Sequence, residues 1–527
     1  MTAGETSVMG NVTGSGKTPF QETMDQVFLM TMALLIQLMQ CGFAFLEVGL
    51  VRSKNVSSIL MKTVLDAFVA GVAYWTVGYA FAYGEGNEFI GWHNFASSGL
   101  PSNKFAYFFY EFVIASTAST IVSGAVAERC EMVAYLVYSI CITGFIYPVV
   151  SRWAWSPYGW LAIGQEYTID NSNVTIKYHD FAGSGVVHAV GGTASFFGAL
   201  ILGPRLGRFH PDSKEPLPIR GHSLTFASLG ILILFIGFLA FNGGSQMSVS
   251  NPGDGDIISL ATVNTVLSAA TSAYVTLIIH KIGILGRSWN VMYVVNGSLA
   301  GMVAICTGCD VLRPWAAIIV GAITAFSFNF TAWFIAKVKI DDPVDAIAVH
   351  FGGGVWGVIS VAFLDLNNGI LRNWDQKSGL ILGWQLAGIC SIVAWTAVTS
   401  SIMFGILKFA GLFRVPEDIE RKGLDVPKYG GPAYPLDAYG HGHVEKIPTV
   451  LENGELSHFT LGYVKDSMNP ASDTGPYECP EVKAMNNMPV SFMPDIQLIV
   501  TPPEDNLNNK NGQINSGYLP SFERTNL

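Results

Sequence analysis

Long apolar runs alternate with short polar loops along most of the chain. A transmembrane helix takes about 20 mostly apolar residues, and eleven runs reach that length. They lie at about 26–50, 58–83, 106–126, 132–152, 180–203, 222–245, 257–281, 288–308, 314–336, 344–364 and 380–412. The pattern predicts an all-α membrane protein with eleven transmembrane helices.

The segments outside these runs differ in composition. Residues 413–444 are polar with many turn formers, and from 445 to 527 Asn, Pro, Ser and Gly dominate. Such a composition is typical of disorder, because it supplies too little apolar surface for a core. We therefore predict four parts: a segment 1–25, an eleven-helix domain 26–412, a polar segment 413–444 and a mostly disordered tail 445–527.

Composition excludes several classes of protein. Only 13% of the residues are charged, against about 25% in soluble domains, and the net charge of −10 does not suggest nucleic-acid binding. No signal peptide is evident before Gln26. The close pair Cys306 and Cys309 lies at the end of an apolar run, where packing explains it better than redox chemistry. We find no metal-ligand cluster and no nucleophile–base motif, so we expect no metal, no cofactor and no enzymatic activity.

Lys and Arg in the short loops predict the orientation in the membrane. With the N-terminus outside, the inner loops hold eleven of them and the outer loops six. We therefore predict an outside N-terminus and, with an odd number of spans, a cytosolic C-terminus. The sequons at Asn11 and Asn173 then lie outside and are candidate glycosylation sites, whereas the sequon at Asn55 lies inside.

Two apolar runs each carry a histidine beside a glycine cluster. These are DFAGSGVVHAVGG, with His188, and DDPVDAIAVHFGGG, with His350. An ionisable group at membrane depth is costly unless it has a partner or lines a cavity, so it marks a candidate functional site. The corresponding places of the two histidines, in the fifth and tenth runs, suggest an inverted 5+5 repeat plus one helix, with the site at the repeat interface.

Two imidazoles in contact would share a proton and offer both a donor and an acceptor to a small polar solute. We therefore interpret His188 and His350 as lining one pore. The alternative is a pair of buried histidines, each satisfied by a backbone carbonyl of a neighbouring helix.

Other polar and aromatic residues have two interpretations each. Asp180 is either a structural N-cap, which we favour, or a carboxylate that attracts cations. Trp155, Phe241 and Ser245 suit an ammonium-like cation, since an aromatic face and a hydroxyl both attract one, but aromatics are common at any membrane interface. Charged residues in or near the spans are expected to pair between helices or to reach the interface; these are Glu47, Lys62, Asp66 and Glu111. Asp341, Asp342 and Asp345 are expected to stabilise a helix N-terminus.

Six motifs together resemble the ammonium transporters of the Amt/Mep/Rh superfamily, and the animal and plant Amt branch in particular. They are EVGLVRSKN, GAVAER, DFAGSGVVH, FNGGS, DDPVDAIAVH and RVPEDIERKGLDVPKYGGPAY, and the resemblance covers about residues 20 to 440. It implies eleven spans, a homotrimer with one pore in each subunit, and residence in the plasma membrane. It also implies that 413–444 is a cytosolic latch that contacts a neighbouring subunit.

The resemblance assigns roles to particular residues. His188 and His350 would be the twin histidines of the pore. Trp155 and Ser245 would form the outer ammonium-recruitment site, with Tyr110 and Phe241 supplying further rings of the site and its gate. Asp180 would act structurally and in deprotonation. Two positions depart from the family pattern: Ile114 stands where a Phe is usual, and Pro427 replaces the Thr that is phosphorylated in plant members.

The leading hypothesis is therefore a transporter that recruits NH4+ outside, removes a proton and conducts NH3, with or without that proton, through the histidine pore. Methylammonium would serve as a substrate analogue. A second hypothesis is an ammonium sensor that signals through its C-terminal tail. The tail offers no kinase or nucleotide domain, which weighs against that alternative.

Overall fold

The computed structural model describes residues 16–283, 289–434, 447–450 and 456–459. The chain divides into two units, Met1–Ala433 and Tyr434–Leu527. Of the second unit, a hairpin of the strands Ile447–Val450 and Leu456–Phe459 is described. Most of the predicted disordered tail lies outside the described residues, as does Asn11.

The first unit is a bundle of apolar helices. Ten described helical segments are long and apolar enough to cross a membrane, and Val291–Ile305 is a shorter apolar helix. In chain order the segments are Pro19–Leu50, Val56–Tyr83, Phe105–Ala125, Met132–Trp155, Ser184–Leu202, Leu224–Gly244, Asp254–Lys281, Val291–Ile305, Pro314–Lys337, Ile347–Leu364 and Gln376–Phe409. Each coincides with one predicted run, and we number them as spans one to eleven, although the count of eleven membrane crossings stays a prediction. The orientation and the inverted repeat stay predictions.

Four of these spans contain a π-helical stretch, in which the backbone hydrogen bonds join residues five apart. They are Tyr74–Gly78 in span two, Ile142–Ile146 in span four, Ser184–Ala189 in span five and Ile347–Gly352 in span ten. π-helical turns are rare and occur frequently at functional sites. The last two carry the histidines.

The packing brings spans from both ends of the sequence together. Span one packs along span six and against span three, while spans seven, eight and nine pack on one another. The α-helical part of span five packs against spans three and eleven. The two π-helical stretches that carry His188 and His350, which together with the residues just before them we call the histidine segments, contact each other. The histidine segments therefore lie inside the bundle.

The loops contain short regular elements. The antiparallel strands Gln165–Ile169 and Ser172–Ile176 form a hairpin between spans four and five. The remaining short helices are Ser53–Asn55, Phe95–Ser97, Ser102–Lys104, Trp160–Ile163, Ile370–Asn373, Glu417–Lys422 and Asp425–Tyr429. Asn173 lies in the second strand and is exposed.

The segment after span eleven is bound to the start of span two and to the turn before it. The Asp425 carboxylate accepts hydrogen bonds from the backbone N–H groups of Ser57 and Ser58, and Asn55 accepts one from Leu424. Asn55 is fully buried, so the sequon that we assigned to the inside is inaccessible to a glycan in this fold.

Candidate functional site

The two histidines meet in the interior of the bundle. The Nδ1 atoms of His188 and His350 are 3.2 Å apart, and their rings lie 5.2 Å apart at 23°. Both side chains are buried, at 0% and 4% exposure. One Nδ1 must therefore donate a proton to the other, because a contact between two bare nitrogens would be repulsive. The pair shares one proton, and Nε2 of His188 has no hydrogen-bond partner among the described residues.

Aromatic rings cover the pair on several sides. Phe238 stacks on His188 at 5.5 Å, and Phe241 lies at 5.7 Å from the same ring. Phe43 lies 6.4 Å from the ring of His350. The sequence hypothesis included Phe241 but missed the other two. Phe238 lies three residues before Phe241, on the same helical face, and this spacing was the available signal.

Both histidine segments begin with an aspartate at the same distance from the histidine. Asp180 lies eight residues before His188, and Asp342 lies eight residues before His350. The Asp180 carboxylate accepts from the backbone N–H groups of Gly183, Gly185 and Val186. It also accepts from the hydroxyls of Tyr178 and Thr307. This geometry supports the structural interpretation of Asp180, because its oxygens are occupied by donors of the helix start.

The carboxylate that caps the second segment accepts from fewer donors. Asp342 accepts from the backbone N–H groups of Val344 and Ile347. Asp345 is bonded to Asn296. Asp341, in contrast, lies outside the spans and pairs with Arg205 and Arg208 at 2.7 and 3.1 Å. Although burial opposes it, the hydrogen bonds and charge of Arg205 hold the pKa of Asp341 well below its usual range.

Glycines allow the two segments to touch. A Cβ on Gly192 would overlap the backbone of Phe351, and a Cβ on Gly354 would overlap the carbonyl of Ser184. The contact is thus reciprocal, each segment placing a glycine against the other. Small residues at such positions let helices approach closely.

A second group of predicted residues lies next to the pair. The Tyr110 hydroxyl is 3.3 Å from Ser245 Oγ, which donates to the carbonyl of Phe241 at 2.9 Å. The Trp155 indole N–H donates to the carbonyl of Asp180 at 2.7 Å. Ile114 is buried. The structure therefore brings Tyr110, Ser245 and Phe241 together, and it fixes Trp155 at the start of the His188 segment.

The charged residues of spans one and two form a buried network. Asp66 accepts from the hydroxyls of Ser119, Thr120 and Ser139, and Ser123 donates to Glu47. Lys62 Nζ lies 3.4 Å from the carbonyl of Cys130. These contacts join spans one, two, three and four, but the partners are hydroxyls and a carbonyl, where the sequence led us to expect pairing between charged residues. The hydroxyl partners in span three were not singled out from the sequence.

Residues 27–434 match the model of the Ammonium Transporter Family. The chain belongs to the ammonium transporter family. It is 44% identical over 443 residues to "Putative ammonium transporter 1" of Caenorhabditis elegans, which covers 81% of this chain and 82% of the relative. It is 39% identical over 436 residues to "Ammonium transporter 1 member 3" of Solanum lycopersicum, covering 78% of this chain and 93% of the relative.

A solved structure supports the same assignment. The protein described as "Sensor Amt Protein" is 31% identical, with a TM-score of 0.70, and the match covers 78% of this chain and 99% of that one. The ammonium transporter is accordingly an all-α, multi-pass membrane protein, and its relatives are transporters, not enzymes.

Proposed function

We propose that this ammonium transporter conducts its substrate as ammonia past His188 and His350, after removal of a proton on the outer side. The observation that carries the proposal is the contact of the two imidazoles, 3.2 Å apart between Nδ1 atoms, inside an apolar surround. Moving a bare cation through such a surround is costly. A neutral amine avoids that cost and still forms hydrogen bonds with the imidazoles.

The outer group of Tyr110, Phe241, Ser245 and Trp155 would recruit the cation. Aromatic faces attract an ammonium ion by about 2 kcal/mol or more once it is desolvated. The hydroxyls of Tyr110 and Ser245 already face each other, so both can turn an oxygen lone pair to a donor. Ile114 supplies no ring, which leaves the cation fewer aromatic contacts than a Phe there would give.

The histidine pair would then offer one acceptor and one donor to ammonia. Because the two Nδ1 atoms share a proton, the Nε2 atoms are left to accept from or donate to the solute. Asp180 contributes by holding the start of the His188 segment. Its many donors favour this positioning role over direct proton transfer.

Labelled methylammonium uptake and the current it evokes test this proposal in cells that express the full chain. Wild type is expected to transport, and His188→Ala is expected to reduce uptake by about 10²-fold, the scale of a lost proton-handling group. His210→Ala changes an exposed loop histidine and is the matched control. Equal uptake by wild type and His188→Ala, at equal surface amounts, would refute the twin-histidine route.

Three further features are proposed from the family resemblance. The transporter would assemble as a homotrimer in the plasma membrane, and its outer loops would carry glycans at Asn11 and Asn173. Size-exclusion chromatography with light scattering tests the trimer, and surface labelling tests the location. A monomer in several mild detergents would contradict the first.

Ammonium sensing is the alternative function. A solved relative described as a sensor favours it, and the segment after span eleven is bound to the start of span two through Asp425. If wild-type cells take up no labelled methylammonium and pass no current while the protein is present at the surface, the transport proposal fails and sensing gains.

A further inference from the structure

A small cavity lies against His350 on the side of span one. Its volume is about 20 Å³, which is room for one water-sized molecule. Its walls come from spans one, three, eight and ten, and they are apolar except for His350 and Glu47. A carboxyl group therefore shares an enclosed space with one of the two pore histidines.

Glu47 is only partly satisfied by the protein. It is 3% exposed, one turn before span one ends. Ser123 donates to its Oε1, but its Oε2 has no hydrogen-bond partner among the described residues. A buried carboxyl oxygen without a hydrogen-bond donor destabilises the folded protein. A donor that the chain does not supply would relieve that destabilisation.

The charges around Glu47 favour a ligand that is positively charged or carries a proton that it can donate. Lys62 and Asp66 of span two and Asp342, before span ten, all face it. Asp66 and Asp342 are occupied by hydroxyl and backbone donors. The buried Arg129 guanidinium acts in turn on Lys62 and Asp342, so three carboxyls share two cations. Because buried charges are stable only when compensated, this group requires a further proton or cation.

We propose that Glu47 is the group that returns a proton to ammonia after it passes His350, which would make Glu47 the inner counterpart of the outer recruitment group. The proposal rests on the proposed function, because it needs ammonia to arrive unprotonated. The O–H bond of protonated Glu47 breaks as the nitrogen lone pair forms an N–H bond, and ammonium leaves with the charge. The carboxylate then regains a proton from hydronium in the water of the inner side.

The test is methylammonium uptake at clamped cytosolic pH in cells that express the full chain. Glu47→Gln keeps the shape of the side chain but cannot give a proton, so the maximal rate is expected to fall about tenfold or more. The half-saturating concentration should stay unchanged, because the outer group is intact. Dependence of the rate on cytosolic pH should disappear.

Two variants keep the result interpretable. Glu111→Gln is the matched control, since Glu111 is a fully buried carboxyl of span three whose oxygens also have no hydrogen-bond partner among the described residues, but it does not line this cavity. It should retain the cytosolic pH dependence. Glu47→Asp keeps a carboxyl and should retain a pH-dependent rate, with its midpoint displaced. If Glu47→Gln does not reach the surface, the profile of Glu47→Asp decides.

If Glu47→Gln keeps the wild-type rate and the wild-type dependence on cytosolic pH, the proposal is overturned. If Glu47→Gln is absent from the cell surface, an unaltered pH dependence in Glu47→Asp overturns it. A pH dependence lost equally in Glu111→Gln would also overturn it. Failure of the twin-histidine route shows separately, as equal uptake by wild type and His188→Ala.

Discussion

The two histidine segments share a backbone design and differ in what surrounds it. In each, an aspartate lies eight residues before the histidine, and the third residue after that aspartate has a left-handed conformation: Gly183 at φ 93° and Asp345 at φ 58°. Each then becomes π-helical around its histidine. The repetition indicates that cap, left-handed residue and π-helical turn together set the height and direction of the imidazole.

The surroundings of the two segments differ in their balance of aromatic rings and carboxyl groups. Around the first, Trp155 bonds to the start of the segment and the Phe238 and Phe241 rings cover His188. Around the second, the neighbours are carboxyls: Asp342 and Asp345 at its start and Glu47 across the cavity. Under the proposed function, one scaffold would serve aromatic recognition of a cation on one side and proton exchange on the other. Four comparisons of variants test this account, beginning with the largest expected effect.

Removing the caps should cost most, and it should cost more on the aromatic side. Asp180 accepts from five donors and Asp342 from two. Since each hydrogen bond to a charged group contributes about 1.5–3 kcal/mol, Asp180→Ala should lower the unfolding temperature in detergent more than Asp342→Ala. Asp180→Asn keeps an acceptor oxygen and is the control. A stable Asp180→Asn that does not transport would show that the charge, not the cap, is needed.

Adding a methyl group where the two segments touch should have the next largest effect. Gly354→Ala places a Cβ against the Ser184 carbonyl, and overpacking of this kind costs about 1–3 kcal/mol. We expect slower uptake, because the displaced segments also displace the imidazoles. Gly379→Ala, a glycine with no atom within 4 Å of the added Cβ, should be neutral. A Gly354→Ala variant with wild-type uptake would show that the contact tolerates separation.

Loss of one hydroxyl in the outer group should have a smaller effect. Tyr110→Phe keeps the ring and removes the oxygen that lies 3.3 Å from Ser245. A neutral hydrogen bond contributes about 0.5–1.5 kcal/mol, so the half-saturating concentration of methylammonium should rise by several fold with little change in maximal rate. Tyr274→Phe changes a 67% exposed ring and is the control. A fall in maximal rate alone would place Tyr110 outside the recruitment step.

The smallest effect is expected at the surface. Asn173→Gln should abolish any glycan at the exposed hairpin and increase gel mobility without changing uptake. Asn171→Gln, in the same turn but outside the sequon, controls for the substitution itself. If deglycosylation does not change the gel mobility of wild type, and Asn173→Gln has the same mobility as wild type, the sequon gives no support to the outer placement of this hairpin.

The sequence predicts the helices well because each span is a continuous apolar run, and the structure places a helix at all eleven. Ends are less well predicted: span one begins at Pro19, capped by Thr18, not near residue 26. The sequence analysis did not predict the hairpin Gln165–Ile176, although alternating polar and apolar residues flank Asp170 and Asn171. Both have positive φ, as tight hairpin turns require.

The identity of the site residues could be predicted from the sequence, but the π-helical backbone around them could not. Two glycine-flanked histidines marked the candidate site, and the eight-residue spacing from Asp to His, which is the same in both segments, could also be read from the sequence. The π-helical turns depend on caps and on contacts between spans that are distant in sequence, so local pattern does not reveal them. The partnership of Glu47 with His350 is likewise a product of packing, since 303 positions separate them in the sequence.

The central claim is that the two imidazoles act as one unit, and a double-mutant cycle measures this directly. Methylammonium uptake is compared for wild type, His188→Asn, His350→Asn and the double variant at equal surface amounts. If the pair shares one proton, the double variant should lose no more activity than the worse single variant, because either change already breaks the unit. Losses that multiply would show two independent histidines and would contradict the account.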